Sequence, residues 1–559
     1  MQKKNYLFLS AATAMVLTSC SGKLGELSAD NFKVTPNPLE AHSGQVEATI
    51  NGMFPEKYMN KKAVVVVTPE LRYTNGQVAK GKSATFQGEK VIGNDQTISY
   101  KLGGNYTMKT AFGYVPDMQK SELYLTFNAA IGKKEVSVPA VKVANGVIAT
   151  SELYRQTVKS AQGCIAPDAF QRITEAKQEA NIKFLIQQAT LRKNELKNNS
   201  VTEFVNLLQR INQEQESLVI DNIEVSAYAS PDGGFKLNDK LAAQRQQNTE
   251  KYVQQLLKST KNEAVIDAKY TAQDWEGFQE LVRASDIQDK EVILRVLSMY
   301  KDPQEREQQI KNMSAGFREL ADGILPQLRR ARMIINYEVI GRDDEQIEAQ
   351  LKADPKQLSV EELLYAATLT DNQDAKEEIY KTTTKVYPQD ARAYNNVAAI
   401  EFAKGNYDVA QQYIAKAQAA DTKNSEANAN LGLIAIQQGD LKAAENHIAK
   451  ATNAEGLNEV LGNLHLAQGK YALAEQDFGK TNSNSAALAQ LLNKNYAAAL
   501  QTLSNVTKAD GMTEYLKALV YARQGNNSQA SVALAAAISK DPSLAKYAAN
   551  DLELSKVSK

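Results

Sequence analysis

A carboxylate, an amide and a guanidinium lie close together in residues 223–253, and this stretch has the clearest potential for chemistry in the chain. Arg245 carries a guanidinium, which can clasp a carboxylate through two parallel hydrogen bonds. Asn238 is a short polar residue of the kind that caps the start of a helix. Asp232 lies in the sequence Pro-Asp-Gly-Gly at 231–234, a turn signature because proline presets φ and glycine permits positive φ. These residues form the candidate ligand site of the chain.

A strand and a helix must position these groups. Apolar and polar residues alternate from Ile223 to Ala229, which predicts a strand with one buried face. After the turn, a helix would point the positive end of its dipole back at the turn. A loop and a helix start at one end of a sheet are a usual ligand position in α/β folds. The residues that share one side of this helix are Leu241, Arg245, Thr249 and Tyr252.

The spacing of these residues resembles that of a known family. Asn238-x-x-Leu241-x-x-x-Arg245, after a strand that ends Ala-Tyr-Ala-Ser, is similar to the pattern of the OmpA C-terminal-like, peptidoglycan-associating proteins. The resemblance implies binding of the diaminopimelate residue of peptidoglycan, whose free end carries an ammonium and a carboxylate. It places Arg245 at the family's arginine and Asn238 at the asparagine of its loop.

One position departs from the family pattern. The family's aspartate lies fifteen residues before the arginine, and here that position is Ser230. Without an anion there, the ammonium of the ligand loses its charge partner, and Asp232 is the candidate substitute. The alternatives are a domain kept for its fold or for a protein contact. The candidate peptidoglycan-binding residues are Ser230, Asp232, Asn238 and Arg245.

The resemblance covers residues 181–345, which are expected to form an OmpA C-terminal-like α/β domain of order β-α-β-α-β with a helical insertion. Leu328-Arg329-Arg330, before the last strand, resembles an arginine motif of the family without its asparagine. These arginines either help to bind a carboxylate or form a solvated helix end. Strands are predicted at 182–191, 223–230, 264–270 and 333–339, helices at 201–211 and 240–257, and the insertion at 274–324.

The N-terminus has the pattern of an export signal. Two lysines precede a mostly apolar run at 6–17, which leads into Val-Leu-Thr-Ser-Cys20. This ending resembles the lipobox of bacterial lipoproteins, in which Cys20 becomes the lipidated first residue after cleavage. It predicts a signal peptide at 1–19 and a tether at 20–30, and the alternative is an ordinary signal peptide with a chance cysteine. Serine after the cysteine favours, by the family's rules, a lipid anchor in the outer membrane, with the body of the chain facing the periplasm.

Short runs of β-branched and aromatic residues, separated by Asn-Gly and Gly-Gly pairs, predict a β-sandwich over residues 31–150. This domain is expected to be a spacer or a binding module. Residues 151–180 have a helical composition and are expected to form a helical linker. Cys164, the one cysteine besides Cys20, is expected to be a buried apolar residue rather than a reactive thiol.

Residues 356–559 are rich in alanine and contain an internal repeat. Gly-Asn-Tyr at 405–407 recurs as Gly-Asp-Leu 34 residues later, and this interval and its small residues resemble the tetratricopeptide repeat family. Close packing of about five or six helix pairs is expected to form an α-solenoid. The resemblance implies a protein or peptide partner in the concave groove, with Asn395 and Asn430 pointing into it and no clamp for a terminal carboxylate. The alternative is a structural spacer.

Composition excludes several classes of function. The 65 basic and 65 acidic residues balance, so nothing argues for binding of nucleic acid. With three histidines, no His-x-x-x-His or Cys-x-x-Cys pair and no glycine-rich phosphate loop, neither an enzyme nor a metal or other cofactor is expected. No membrane-spanning segment is expected beyond the leader.

These patterns predict a multidomain chain: an N-terminal β-sandwich, a central α/β domain and a C-terminal α-solenoid. The expected function is that of an outer-membrane-anchored periplasmic adaptor, which links the envelope, through peptidoglycan, to a protein held by the helical repeats. The alternative is an accessory scaffold subunit of an envelope assembly or secretion machine that does not bind peptidoglycan.

Overall fold

The computed structural model describes residues 24–287, 289–312 and 319–557. The predicted signal peptide at 1–19, the lipidation site Cys20 and the first part of the tether lie outside the described residues. The chain divides into two compact units, of which unit 1 comprises residues 1–168 and 370–559 and unit 2 residues 169–369. Unit 2 is therefore inserted into the sequence of unit 1. Among the described residues, no helix has the length and apolar character needed to cross a membrane.

The N-terminal part of unit 1 is rich in strands, as predicted. Its strands form two sheets, one of order β1-β3-β2-β11 with β8 beside β3, the other of order β10-β9-β4-β6-β7 with β5 beside β4. Alternate residues of both sheets, among them Val46 and Ile50 of β3 and Val65 and Val67 of β4, are buried in one shared core. The strands are β1 Phe32–Thr35, β2 Leu39–His42, β3 Gln45–Phe54, β4 Ala63–Tyr73, β5 Gln77–Lys80, β6 Ala84–Gly88, β7 Gln96–Ile98, β8 Gly104–Gly113, β9 Glu122–Ile131, β10 Lys134–Asn145 and β11 Val147–Ile148.

The segment predicted as a helical linker over 151–180 is helical only near its start. Helix α1, Tyr154–Thr157, lies between one 3₁₀ turn at Thr150–Leu153 and another at Val158–Ser160. Strand β12 begins at Ile173. The charged residues Glu175, Lys177 and Glu179 are two positions apart, so they share the exposed face of that strand. The prediction of a helix there was wrong, because charged residues at a spacing of two fit a strand with one exposed face.

Residues 391–540 of unit 1 form five consecutive helix pairs, numbered repeats 1 to 5, each with a first and a second helix. The turn inside four of these pairs has a glycine with positive φ, and the corresponding residue of repeat 4 is Lys494 at φ 65°. The pairs are Ala391–Ala403 with Tyr407–Ala420, Ser425–Gln438 with Leu441–Ile448, Leu457–Ala467 with Tyr471–Phe478, Asn484–Leu492 with Tyr496–Ser504, and Gly511–Arg523 with Asn527–Lys540. Helix Gln373–Val386 precedes them and helix Leu544–Asn550 follows.

Unit 2 is built on a four-stranded sheet of order β12-β15-β13-β14, in which only β13 and β14 run parallel. Helices α2 and α3 cover one face, where Phe204 and Val253 pack against Ile223 and Val225. The order is β-α-β-α-β, then the helical insertion and the last strand. The elements are β12 Ile173–Lys183, α2 Asn199–Gln213, β13 Leu218–Tyr228, α3 Phe235–Thr260, β14 Val265–Thr271, α4 Trp275–Ala284, α5 Lys290–Met299, α6 Pro303–Asn312, α7 Leu325–Leu328, β15 Arg330–Ile340, α8 Asp344–Ala353 and α9 Val360–Ala366.

The strand predicted at 182–191 differs from the observed one. Strand β12 ends at Lys183, and residues 184–191 form a loop that contacts the middle of α3, at Arg245 and Asn248. Leu185 and Ile186 are exposed in this loop, whereas Phe184 is buried. Only residues 182 and 183 of the predicted strand therefore enter the sheet.

The two ends of unit 2 lie close together, which explains how it can be an insertion: the ring centres of Phe170 and Tyr365 are 4.5 Å apart. The first and last strands of its sheet also meet. Ile173 at the start of β12 is the register partner of Ile340 at the end of β15. One residue further out, the N–H of Gly341 donates to the carbonyl of Arg172 at 2.6 Å. Chain ends that lie together allow a domain to be inserted into a host without pulling the host apart.

The repeats depend on close helix contact, and Gly462 tests this. A Cβ atom there would lie 2.8 Å from the ring of Phe478. We expect Gly462→Val to lower the free energy of unfolding of unit 1 by about 1–3 kcal/mol, the usual cost of overpacking. Urea denaturation followed by far-UV circular dichroism measures it. The matched control is Gly113→Val in the same unit, because a Cβ at Gly113 meets nothing within 4 Å; equal losses for the two variants would contradict the close-packing argument.

Candidate functional site

The loop between β13 and α3 brings the sequence-predicted residues together. The hydroxyl of Ser230 donates to the carboxylate of Asp232. The Nδ2 group of Asn238 donates to the carbonyls of Ser230 at 2.9 Å and Gly233 at 2.8 Å. Asn238 therefore holds the loop closed but does not cap the helix, because α3 begins at Phe235 and its N-cap is Gly234.

Arg245 lies about three turns into α3 and is fully buried. Its guanidinium donates to three carbonyls: Nε to Gln188 at 3.0 Å, Nη1 to Tyr228 at 2.8 Å and Nη2 to Leu185 at 3.3 Å. The guanidinium carbon also lies 4.9 Å from the centre of the Phe184 ring. Arg245 thus joins the loop at 184–191 to the end of β13 and to α3.

Burial is the main influence on the charge of Arg245. Loss of solvent first, and the nearby charge of Arg329 second, lower the pKa of its guanidinium, and Asp232 opposes them; together they bring this pKa to about 10. The group remains protonated at neutral pH. A ligand carboxylate would have to replace the carbonyls that now accept its hydrogen bonds. The role of Arg245 in binding a ligand stays a prediction, and the structure gives it a structural role.

A second arginine, which the sequence left with two interpretations, faces the loop directly. Arg329 lies 3.3 Å from the Asp232 carboxylate through Nη2, and its Nε donates to the Ser230 hydroxyl at 3.3 Å. Its neighbour Arg330 pairs with Asp274 at 3.1 Å and stacks over the Tyr228 ring. Because both arginines are largely buried and paired, the interpretation as a solvated helix end was wrong. The sequence signal for this pair was the Leu328-Arg329-Arg330 motif.

The Asp232–Arg329 pair presents an anion and a cation side by side at the end of the sheet. A ligand that carries both an ammonium and a carboxylate matches this arrangement. Asp232 also lines a small recess whose other lining residues are Pro231, Trp275, Phe278, Glu307, Lys311, Leu320 and Leu325. In the described part of the chain, no group of three or more His, Cys, Asp and Glu side chains is placed to hold a metal ion.

The second candidate site, in unit 1, is the groove formed by the first helices of repeats 1 to 3. Residues 161–168, here called the groove segment, lie in it. The side chain of Asn430 accepts from the N–H of Cys164 at 2.7 Å and donates to the carbonyl of the same residue at 2.9 Å. The side chain of Asn396 likewise accepts from the N–H of Ala166 at 2.7 Å and donates to the carbonyl of Ala166 at 3.0 Å. Asn395 adds a bond to the Cys164 carbonyl at 2.9 Å.

The placement of Asn395 and Asn430 in the groove agrees with the sequence prediction, but their occupant is part of the same chain. Asn396 was missed, although it adjoins Asn395 in the sequence. These three residues, here called the groove asparagines, are each at most 2% exposed.

The side chains of the groove segment that face the repeats are small. Cys164 and Ala166 are buried, whereas Ile165 between them is exposed. A Cβ atom at Gly163 would lie 2.9 Å from the Cβ of Ala399. The groove therefore binds the segment through hydrogen bonds to its main chain and has space only for small side chains. Burial, with the nearby carboxylates of repeats 2 and 3, raises the pKa of the Cys164 thiol to about 12.

The segment before the groove segment joins the two parts of unit 1. Ser151 donates to the carbonyl of Ala41 at 2.7 Å, and the N–H of Gly44 donates to the carboxylate of Glu152 at 2.8 Å. The hydroxyl of Tyr471, on repeat 3, is 3.0 Å from Nδ1 of His42. The β-sheet part and the repeats therefore pack as one body around residues 150–160.

No protein-family model matches this chain, and no curated protein matches it. Among solved structures, the chain is similar to a tetratricopeptide repeat protein from Parabacteroides merdae, with 14% identity over 44% of this chain and 97% of the other and a TM-score of 0.28. It is also similar to pilF of Pseudomonas aeruginosa, with 16% identity, coverage of 36% and 96% and a TM-score of 0.26. A third is YrrB, described as a TPR protein with an unusual peptide-binding site, with 16% identity, coverage of 37% and 97% and a TM-score of 0.21.

These neighbours include tetratricopeptide repeat proteins, as the sequence resemblance led us to expect. At such identities and TM-scores the likeness carries no argument about function. The helix pairs and the contacts of the groove described above are features of this chain's own structure.

The structural role of Arg245 predicts a loss of stability on its removal. Arg245→Ala would remove three hydrogen bonds to main-chain carbonyls and the packing of a fully buried side chain. We expect the free energy of unfolding of unit 2 to fall by roughly 3 kcal/mol. The single tryptophan, Trp275, lies in unit 2, so urea unfolding followed by its fluorescence reports on this unit.

The matched control for this experiment is Arg210→Ala. Arg210 forms an exposed ion pair with Glu214 on α2, so its loss should change stability by no more than about 0.5 kcal/mol. An equally small change for Arg245→Ala would contradict the structural role.

Proposed function

We propose that the chain is a protein-interaction scaffold of the bacterial cell envelope. In this proposal a lipid on Cys20 anchors it to the outer membrane, its body faces the periplasm, and its repeats bind an extended segment of a protein. The observation that supports it best is the pairing of Asn430 and Asn396 with the main chain of Cys164 and Ala166.

This pairing explains what kind of partner the repeats recognise. An asparagine side chain offers one acceptor and two donors, so it can satisfy both the N–H and the C=O of one extended residue. Main-chain hydrogen bonds give affinity for any extended segment, and specificity comes from the space left for alternate side chains. The partner is therefore an internal extended segment, and no terminal carboxylate is needed to hold it.

The second contact in this proposal is with peptidoglycan, through unit 2. The Asp232–Arg329 pair supplies an anion for the ammonium of the ligand and a cation for its carboxylate. Asp232 thus takes the place of the acid that is missing at Ser230, and Arg329 supports the carboxylate that Arg245 is too buried to reach. A weak contact with the wall suffices, because two anchors on one chain raise the effective affinity of both.

The competing function is that of an accessory scaffold subunit of an envelope assembly or secretion machine, with protein contacts only. Both functions use the repeats in the same way. Binding to the wall separates them.

The groove test is photo-crosslinking in native membranes. We expect a chain with a photoreactive group near the groove to crosslink a protein partner. The double variant Asn395→Ala with Asn430→Ala should reduce the yield of crosslinked partner about tenfold or more. Each lost hydrogen bond contributes roughly 1 kcal/mol, and several are lost together.

Asn453→Ala is the control for the groove test, since Asn453 lies exposed between repeats 2 and 3. Undiminished crosslinking to the same partner by the double variant would show that the groove asparagines do not bind it.

The wall test is co-sedimentation with purified sacculi. Asp232→Asn with Arg329→Gln should weaken retention about tenfold or more, because charge-assisted bonds to both ends of the ligand are lost. The control, Arg283→Gln, changes an exposed arginine of unit 2 and should leave retention unchanged. Failure of the unsubstituted protein to sediment with sacculi would favour the scaffold subunit.

A further inference from the structure

The groove of repeats 1 to 3 is occupied by the chain itself. Each of the groove asparagines bonds to Cys164 or Ala166 and is almost fully buried. At the far end of the segment, the N–H of Gln162 lies 3.4 Å from the carboxylate of Glu459 on repeat 3. No second protein can use these positions while the groove segment remains in place.

The groove segment is held differently from the residues that precede it. Leu153, Tyr154 and Val158 are large side chains buried in the core of the repeats, and they fix residues 150–160 by apolar burial. The groove segment buries mainly small side chains and relies on main-chain hydrogen bonds, with Gln162, Ile165 and Pro167 directed to solvent. It can therefore leave the groove while residues 150–160 stay anchored.

We propose that the groove segment is an internal ligand that a partner displaces. This inference rests on the proposed function and names the partner's chemistry: an extended segment with glycine at the place of Gly163 and small residues at the places of Cys164 and Ala166. The glycine is required because Ala399 leaves no space for a side chain, and the small residues are required because those two positions are buried.

The attachment of the groove segment to residues 150–160 sets how strongly a partner must bind. Residues 161–168 are attached to the anchored residues 150–160, so their effective concentration at the groove is on the order of millimolar. A short peptide supplied in trans must compete with this concentration. The unmodified chain should therefore bind such a peptide weakly, and any change that expels the segment should strengthen the binding.

The first experiment uses the thiol of Cys164 in the full chain. With Cys20→Ser, Cys164 is the one remaining cysteine, and its burial makes alkylation slow. The probe is a synthetic peptide of residues 161–168 with serine in place of the cysteine. We expect the alkylation rate to rise about tenfold, and to saturate, as the peptide displaces the segment and exposes the thiol. The control peptide has valine in place of the glycine and should have no effect.

The second experiment measures binding of the same peptide by fluorescence polarisation. Gly163→Val in the chain should expel the segment and tighten peptide binding at least about tenfold, and adding Asn430→Ala should abolish the gain. Circular dichroism verifies that the variants are folded. If Gly163→Val does not fold, the alkylation experiment on the otherwise unsubstituted chain decides.

The outcomes separate the two proposals. An alkylation rate that does not respond to the peptide overturns the exchange, whatever the crosslinking in membranes shows. Equal affinity of the unsubstituted chain and folded Gly163→Val also overturns it, because the segment would then not compete. Exchange with the peptide but no partner crosslinked through the groove would support the displaceable segment and contradict the proposed function.

Discussion

Main-chain N–H and C=O groups that are buried away from water need partners, and this chain supplies them from side chains at two places where its backbone is irregular. In unit 2, Arg245 donates to three carbonyls, one at the end of β13 and two in the loop that follows β12. In unit 1, the groove asparagines pair with the groove segment. In both places side chains supply hydrogen bonds that a regular strand or helix would take from its own main chain. In unit 1 these bonds accompany the burial of Cys164 and Ala166, whereas in unit 2 the fully buried group is Arg245 itself.

This constraint changes the meaning of the residues that first suggest ligand binding. A guanidinium or an amide can donate directional hydrogen bonds to a ligand. For the same reason it can donate them to a main-chain carbonyl that has no partner in a helix or sheet. Arg245 is committed to the protein itself, and the ionic groups left at the loop are Asp232 and Arg329. These two neutralise each other at 3.3 Å, and each retains partial exposure. A ligand that carries an ammonium and a carboxylate could separate this pair, because its ammonium would then face Asp232 and its carboxylate Arg329, and neither side chain would lose its opposite charge.

Local pattern was sufficient for some of this structure and insufficient for the rest. The alternation in β13 predicted its buried face, and Ile223, Val225 and Ala227 are fully buried. The turn residues of the repeats likewise marked helix pairs. The partners of Arg245 are 17 to 60 residues away, and those of Asn430 include Cys164, 266 residues away. No local period encodes such distances. For the same reason residues 161–168, which have no pattern of their own, were absorbed into a helix that ends before them.

The position of the groove segment in the sequence links the two candidate sites. Its last residue, Asp168, is the last residue of unit 1 before the chain enters unit 2, and Arg392 of repeat 1 donates to its carbonyl at 2.9 Å. Displacement of residues 161–168 would free eight residues at this connection, which can span at most about 26–29 Å when extended. A partner that takes the groove would thus lengthen one of the two connections to unit 2, while the other, which enters helix Gln373–Val386, is unchanged. Under the proposals made above, binding at the repeats would therefore change the length of one connection to unit 2 without any change inside either fold.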